Sequence, residues 1–544
     1  MFVGPNNPGK SLVLREIGSA LFDPTDARFP HARSWPGYID PNKRRIIRRL
    51  RAPEPEWARI RSYFENVDAT GMAYVGSLLS GGQIQAPYLD THRLLKGIEE
   101  ENRPDLMAQA RDMVRRSQVE ILDGQQRLNL INPRPLGNLK QVPTNHLQAL
   151  FRDDARRRRL AEMTKEAFGM YFVIDPTAGG QLQVAMSPDL PRTVEEERSL
   201  TDEAIRFYSD STPIAEMSDG VKAYSGILAA VLSTELKLVL IDEPDAFLHP
   251  PLARRLGTIL TILASERDGN VLASTHDSNF LMGCIQAGKP VNVVRLTYRD
   301  GIATARLLEA DRLRNMMRDP LLRSTRVMDA LFHQGAFVCE ADSDRAFYQE
   351  INDRLLGENQ GAAVDCIFLN SQNKQTIRRI VGPLRDMGIP AAGIVDLDII
   401  KKGNDHDLSD LMKAANVSDG LVKSLGQLRG EVGSAFAAQN LSPKRAGVGS
   451  LGDPEQQAAE VLLRDLAEYG IFLVPVGELE RWLPGLGVPS DTPEQKRDWL
   501  PLIFGEMGCD PDEAGYLKPS ADDVWSFVQH IGKWIADPSR KGMP

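Results

Sequence analysis

The stretch from Leu238 to Pro250, Leu-Val-Leu-Ile-Asp-Glu-Pro-Asp-Ala-Phe-Leu-His-Pro, restricts the fold more than any other part of the chain. Four consecutive aliphatics are too short for a free helix and run directly into Asp242 and Glu243. That pattern reads as a buried parallel strand with two carboxylates at its C-terminal end. Open α/β sheets place their ligands at that edge. Adjacent acids there suit a magnesium nucleotide, since a hard cation wants oxygen ligands and an attacking water needs a base beside it.

The phosphate cradle that such a strand requires lies at the start of the chain. Gly4-Pro5-Asn6-Asn7-Pro8-Gly9-Lys10-Ser11 fits G-x-x-x-x-G-K-[ST]. In that pattern the loop Gly4, Asn6, Asn7 and Gly9 presents backbone N–H groups to phosphates, Lys10 reaches the β- and γ-phosphates, and Ser11 holds Mg²⁺. Only Met1, Phe2 and Val3 precede it, where a feeding strand of about five or six residues is expected, so the start reads as shortened: either it is misassigned or the first strand is absent, and in the second case nucleotide binding would be weakened. Met217-Ser218-Asp219-Gly220 opens an apolar helix running through Leu232, and Ser218 and Gly220 at a helix N-terminus suit an anion. Val271-Leu272-Ala273-Ser274-Thr275-His276 reads as a further strand, whose terminal His276 stands where a γ-phosphate could be sensed.

Composition narrows the class of partner. The 544 residues carry 65 basic and 74 acidic side chains, a net charge of −9, which excludes a uniformly cationic nucleic-acid coat and leaves only local patches. The densest runs are Lys43 to Arg51 and Arg156 to Arg159, the latter in a helix expected from about Asn145 to Phe168; each is read first as a solvated face and second as a phosphate track. Ile121 to Leu130 reads as two short strands about Asp123-Gly124, and a second such pair flanks Gly179-Gly180. Four scattered cysteines (Cys284, Cys339, Cys366, Cys509) show no metal spacing, and no apolar run approaches a membrane span, so a reduced, cytoplasmic protein is expected.

Beyond a charged junction from Glu309 to about Gln334 the pattern changes to a second α/β unit. Ala336 to Cys339 reads as a strand leading into Glu340, with Asp342 and Asp344 opening a helix. Ile367 to Leu369 is a second strand, Thr376 to Met387 a helix, and Ala391 to Val395 a strand that stops at Asp396-Leu397-Asp398. Alternation of this kind predicts a parallel sheet with acids gathered at one edge. Carboxylates so clustered repel one another unless a cation neutralises them. Ile471 to Val476 is a fourth strand, ending at Gly477-Glu478-Leu479-Glu480. Asp405-His406-Asp407 is read as a solvated loop. The stretch from 491 onward, with Trp499, Trp525 and Trp534, reads as helical.

The order of P-loop, Ser-x-Gly, Ile-Asp-Glu-Pro strand and strand-plus-His resembles the ATP-binding cassette heads of recombination and chromosome-maintenance ATPases. Glu340-x-x-x-Asp344 with Asp396-x-Asp398 resembles the Toprim domain, although Ala341 stands where that pattern has glycine. Together the two resemble the overcoming-lysogenization-defect (OLD) family, which includes the Gabija nuclease subunit. The resemblance implies an α/β chain: an ABC-type P-loop ATPase domain over 1–310, a linker over 311–334, a Toprim domain over 335–490 and a helical C-terminal tail over 491–544. It implies ATP and Mg²⁺ at Gly4, Asn6, Asn7, Gly9, Lys10, Ser11, Asp242 and His276, with Glu243 catalytic and Ser218 and Gly220 meeting the nucleotide of a second subunit. It implies a nuclease centre of Glu340, Asp344, Asp396 and Asp398 that binds Mg²⁺ or Mn²⁺, a further acid at Glu480 or Glu478, and a lysine at Lys518 or Lys533. The glutamine loop falls among Gln125, Gln126 and Gln141. DNA, a homodimer or higher homo-oligomer and a helicase-like partner are the partners implied. A non-catalytic ATP-dependent DNA clamp and an RNA-directed nuclease are the alternatives.

Overall fold

The structure, a computed structural model, describes residues 1–5, 9–14, 17, 72–73, 89–90, 119–124, 126–140, 143–233, 238–267, 269–299, 301–324, 326–401 and 405–544. Asn6, Asn7, Gln125, Gln141 and the basic run Lys43 to Arg51 lie outside the described residues. The chain divides into two compact units: Met1–Val3 with Gly9–Val294, and Gly4–Pro8 with Arg295–Pro544.

In the first unit, β1 (Phe2–Val3) and β2 (Val119–Leu122) belong to a parallel sheet, while β3 (Tyr171–Ala178) and β4 (Gln181–Ser187) form an antiparallel hairpin. Gly179 (φ 65) and Gly180 (φ 84) turn that hairpin, since both central positions of its tight turn need positive φ. β5 (Leu238–Asp242) and β6 (Asn270–Ser274) complete the parallel set in the order β1-β6-β5-β2. The register pairs Ser274 with Asp242 and with Phe2, so the strands end together. β5 is buried from Leu238 to Ile241 because helices cover both faces of a central parallel strand. Helix Asp219–Ser233 packs there through Tyr224, Ile227, Leu228 and Val231, in one core with Leu122, Phe172 and Met186. β7 (Val293–Arg299) starts beside β1, where Val294 N–H donates to the Met1 carbonyl at 2.7 Å.

Two expectations for this unit differ from the structure. Ile121 to Leu130 is not a strand pair: after β2 the chain turns into a short helix, Gln126–Asn129. Asp123 Oδ1 accepts from Gln126 N–H at 2.9 Å while Gln126 Oε1 accepts from Asp123 N–H at 3.4 Å, a reciprocal cap that starts a helical turn. The expected helix over 145–168 is broken into His146–Arg152 and Asp154–Phe168, because Asp153 stands extended between them and caps Arg156 N–H at 3.0 Å.

In the second unit, β8 (Ile302–Leu308) precedes a parallel sheet of β9 (Gly335–Cys339), β10 (Cys366–Asn370), β11 (Ala391–Val395) and β12 (Ile471–Leu473), ordered β10-β9-β11-β12. β9 and β11 are wholly buried and form the centre of the sheet. Its core gathers Phe337, Phe347, Tyr348, Trp482, Trp499, Trp525 and Trp534, each fully buried large side chain contributing about 1.5–3 kcal/mol. The stretch expected as a linker over 311–334 carries the helices Ala310–Arg318 and Pro320–Ser324 and the 3₁₀ turn Val327–Phe332. The C-terminal stretch is helical, and its helices Pro493–Met507 and Asp523–Ala536 supply Trp499, Ile503, Trp525 and Trp534 to this same core. Asp405-His406-Asp407 is helical, opening Asp405–Ala414, and Asp407 lies 3.6 Å from the Arg378 guanidinium, so the solvated-loop reading is corrected. No helix among the described residues is long and apolar enough to cross a membrane.

Candidate functional sites at the two sheet edges

Because β1, β5 and β6 end in register, their C-terminal residues converge. Ser11 Oγ donates to Asp242 Oδ1 at 2.8 Å, and Ser274 Oγ also donates to that oxygen. Lys10 is buried, and the chain is helical from Lys10 with Val13 N–H bonded to the Gly9 carbonyl at 2.9 Å. Gly9 stands at φ 80, and at Gly4 (φ 150) a Cβ would run into the Leu296 carbonyl, so both positions require glycine. Glu243 adopts φ 49, unusual for a side-chain-bearing residue, and its N–H donates to the Ser274 carbonyl at 3.0 Å. The Glu243 carboxylate, half exposed, stands 3.3 Å from His276 Nδ1. Two oxygens from Ser11 and Asp242, a buried lysine and an exposed glutamate suit Mg²⁺, phosphate and a water respectively.

Ser218 caps the helix Asp219–Ser233, accepting from Val221 N–H at 3.5 Å. Gly220 packs so closely that a Cβ would come within 2.7 Å of the Phe247 carbonyl. Gln126, a candidate for the glutamine loop, is engaged in its own helix cap. Two residues of this edge were missed by sequence reasoning. Asp245 is buried and accepts from Thr275 Oγ1 at 2.5 Å, and burial lifts its carboxyl to about 6. Arg127 is buried against the turn that follows β5.

The second sheet edge gathers the acids. Glu340 follows β9, Asp396 follows β11, and Asp396 N–H donates to Glu340 Oε1 at 2.9 Å. Asp344 sits in the first turn of helix Asp342–Gly357, buried like Asp396. Burial first, then repulsion from Asp396, Asp344 and Asp398, pushes Glu340 up to about 8. Burial, then Asp396 and Glu480, lifts Asp344 to about 7. Burial lifts Asp396 to about 6 although Lys444 opposes it. Glu478 is fully buried and Glu480 half-buried on the turn Leu479–Arg481, so both remain beside this group.

Lysines reach these acids from segments that the sequence did not single out. Lys444 Nζ lies 2.9 Å from Asp396 and 3.6 Å from Glu478, Lys374 Nζ lies 2.9 Å from Asp398, and Lys496 pairs with Glu478. Burial would lower the Lys444 ammonium, but Asp396 and Glu478 outweigh it and hold it above its ordinary value. Gly477 (φ 109) lets the chain press against the Lys444 backbone, and Val448 N–H donates to the Pro475 carbonyl at 2.8 Å, which fixes Lys444 over the edge. Lys518 is elsewhere: exposed, its Nζ 3.6 Å from Glu358, so the structure does not bring it to the acids. Lys533 is exposed on helix Asp523–Ala536. Six carboxylates (Glu340, Asp344, Asp396, Asp398, Glu478, Glu480) share this edge with the three ammoniums of Lys374, Lys444 and Lys496. Among the described residues no three acids or histidines stand in a ready-made coordination shell; the lysines are seated on the carboxylates instead.

At this edge of the first unit, Lys10 and Ser11 open a helix beside a strand ending in paired acids and a neighbouring strand followed by His276, an arrangement of the P-loop ATPase-like kind. Residues 187–282 match the family model described as AAA domain, putative AbiEii toxin, Type IV TA system, which spans helix Asp219–Ser233, β5 and β6. No curated protein matches the chain. Among solved structures, an Smc head bound to the C-winged helix domain of ScpA is 14% identical with a TM-score of 0.28, covering 39% of this chain and 63% of that one. The Smc head with an extended coiled coil from Pyrococcus furiosus is 13% identical with a TM-score of 0.23, covering 58% and 64%. The chain thus spans less than two thirds of these heads, and so loose an overlap leaves the strand order to define the fold.

Proposed function

We propose that the chain is an ATP-regulated, metal-dependent nuclease of the OLD type, acting on DNA as a homodimer or higher homo-oligomer. The observation that carries this reading is the convergence of Glu340, Asp344, Asp396 and Asp398 beyond the ends of β9 and β11, four acids faced by Lys374 and Lys444. Buried acids held this far above their ordinary range are costly unless a cation is their working partner. Glu340, Asp344, Asp396 and Asp398, with Glu480 or Glu478, would hold Mg²⁺ or Mn²⁺, which supplies Lewis acidity toward a phosphodiester and a more acidic water. Lys374 and Lys444 offset the charge of an incoming phosphate and keep the acids apart. In the first unit Ser11 and Asp242 would hold Mg²⁺ with ATP, Lys10 neutralises phosphate, and Glu243, aligned by His276, takes the proton of the attacking water. Ser218 and Gly220 would meet the nucleotide of a second copy, so that ATP gates assembly.

The seating of Lys374 and Lys444 on Asp398 and Asp396 favours a second reading, an ATP-dependent DNA clamp whose acid cluster is closed by internal ion pairs. Incubation of the purified protein with supercoiled and linear DNA, and with RNA, in Mg²⁺ and in Mn²⁺, with and without ATP, separates the two. The nuclease reading expects EDTA-sensitive cleavage; the clamp expects ATP-dependent retention of intact DNA.

A further inference from the structure

We propose that Arg127 is a positioning residue for ATP hydrolysis, holding the Asp242–Glu243 turn in its strained form and linking it to the helix that Ser218 and Gly220 open. The assignment rests on the ATPase reading above. Arg127 is 3% exposed, and its Nη1 donates to the Asp242 carbonyl at 3.2 Å and to the Glu243 carbonyl. Among the described residues its buried Nε has no hydrogen-bond partner. A buried cation is expensive, and packing alone would be better served by an apolar side chain. What this cation reaches is the main chain at the point where Glu243 turns to φ 49, a conformation that persists only where its surroundings impose it.

Two further contacts place Arg127 between elements. Its guanidinium carbon lies 5.7 Å from the centre of the Phe247 ring, and the Phe247 carbonyl is the atom against which Gly220 packs. On the other side, Gly226 of helix Asp219–Ser233 approaches the Arg127 backbone so closely that a Cβ would come within 2.5 Å of its carbonyl. A shift of this helix therefore bears on Arg127 directly, and through it on the backbone that aims the Glu243 carboxylate. Burial lowers the Arg127 guanidinium below its ordinary value, and the charges of Asp245, Glu243, Asp242 and Asp123 only partly offset that cost.

The test is steady-state ATP turnover by Arg127→Met, Arg127→Lys and Phe247→Ala, with nucleotide affinity measured separately and rates referred to folded protein. Arg127→Met should lower kcat by about 30-fold or more with KM within about twofold, because Glu243 is misaimed while the phosphate loop is intact. Arg127→Lys, which keeps the charge, should recover part of the loss. Phe247→Ala alters an exposed ring, so it folds even if the core variants do not, and should lower kcat several-fold. Unchanged kcat per folded molecule in the Arg127 variants, or in Phe247→Ala, would overturn the assignment. Wild-type protein without turnover would overturn the ATPase reading and this inference together, whereas wild-type turnover that is lost in Glu243→Gln and kept in Arg127→Met would overturn this inference alone.

Discussion

The backbone N–H of Asp396 donates to Glu340 Oε1 at 2.9 Å, tying the end of β11 to the end of β9 and holding two acids of one cluster in contact. The bond favours the charged form of Glu340, yet burial and the surrounding carboxylates prevail and raise it from 4.5 to about 8. Folded protein thus retains a proton that the unfolded chain has released between those values. Stability linked to that proton is fully present below about pH 4.5 and is lost as pH rises towards about 8. Glu340→Gln should match wild type near pH 4.5 and exceed it by about 1–3 kcal/mol at pH 8, with the gap narrowing when Mn²⁺ is added. Denaturant unfolding at the two pH values checks this; a gap that is the same at both would contradict it.

Glu243→Gln should keep nucleotide affinity within about threefold and slow ATP turnover about 100-fold, since the base is removed and the ligands Ser11 and Asp242 are not. Nucleotide binding measured beside turnover decides between a catalytic and a binding role.

Lys444→Met leaves Asp396 and the buried Glu478 without their shared ammonium. Because Lys444 is itself 38% exposed, the loss of stability should be modest, about 1 kcal/mol, while DNA cleavage falls about 10-fold or more. Lys518→Met, altering an exposed contact to Glu358, should change stability by less than about 0.5 kcal/mol and leave cleavage at the wild-type rate.

How much of this was legible in the sequence depended on whether a residue's role is written in its own neighbourhood. β5 was readable because four aliphatics run into Asp242 and Glu243, and β9 and β11 because short apolar runs end in acids. Arg127 was hidden by reading Asp123-Gly124 as a hairpin turn; Asp123 with Gln126 three residues on was a capping pair, which would have set Arg127 on a helix next to β5. Lys444 and Lys496 had no local signal, since each reaches the acids from a segment remote from them in the chain. Lys518 was favoured by its order in the chain alone, and order does not specify which lysine a loop carries to the sheet edge.

If the acid cluster cuts nucleic acid with a divalent cation, nicking of supercoiled plasmid in Mn²⁺ must distinguish wild type from Asp396→Ala. Asp396 is the acid that joins Glu340, Lys444 and the end of β11, so its loss should reduce nicking by about 1,000-fold or more while DNA affinity is kept or increased and ATP turnover is unchanged. Nicking that persists in Asp396→Ala, or that survives EDTA in the wild type, would contradict the account.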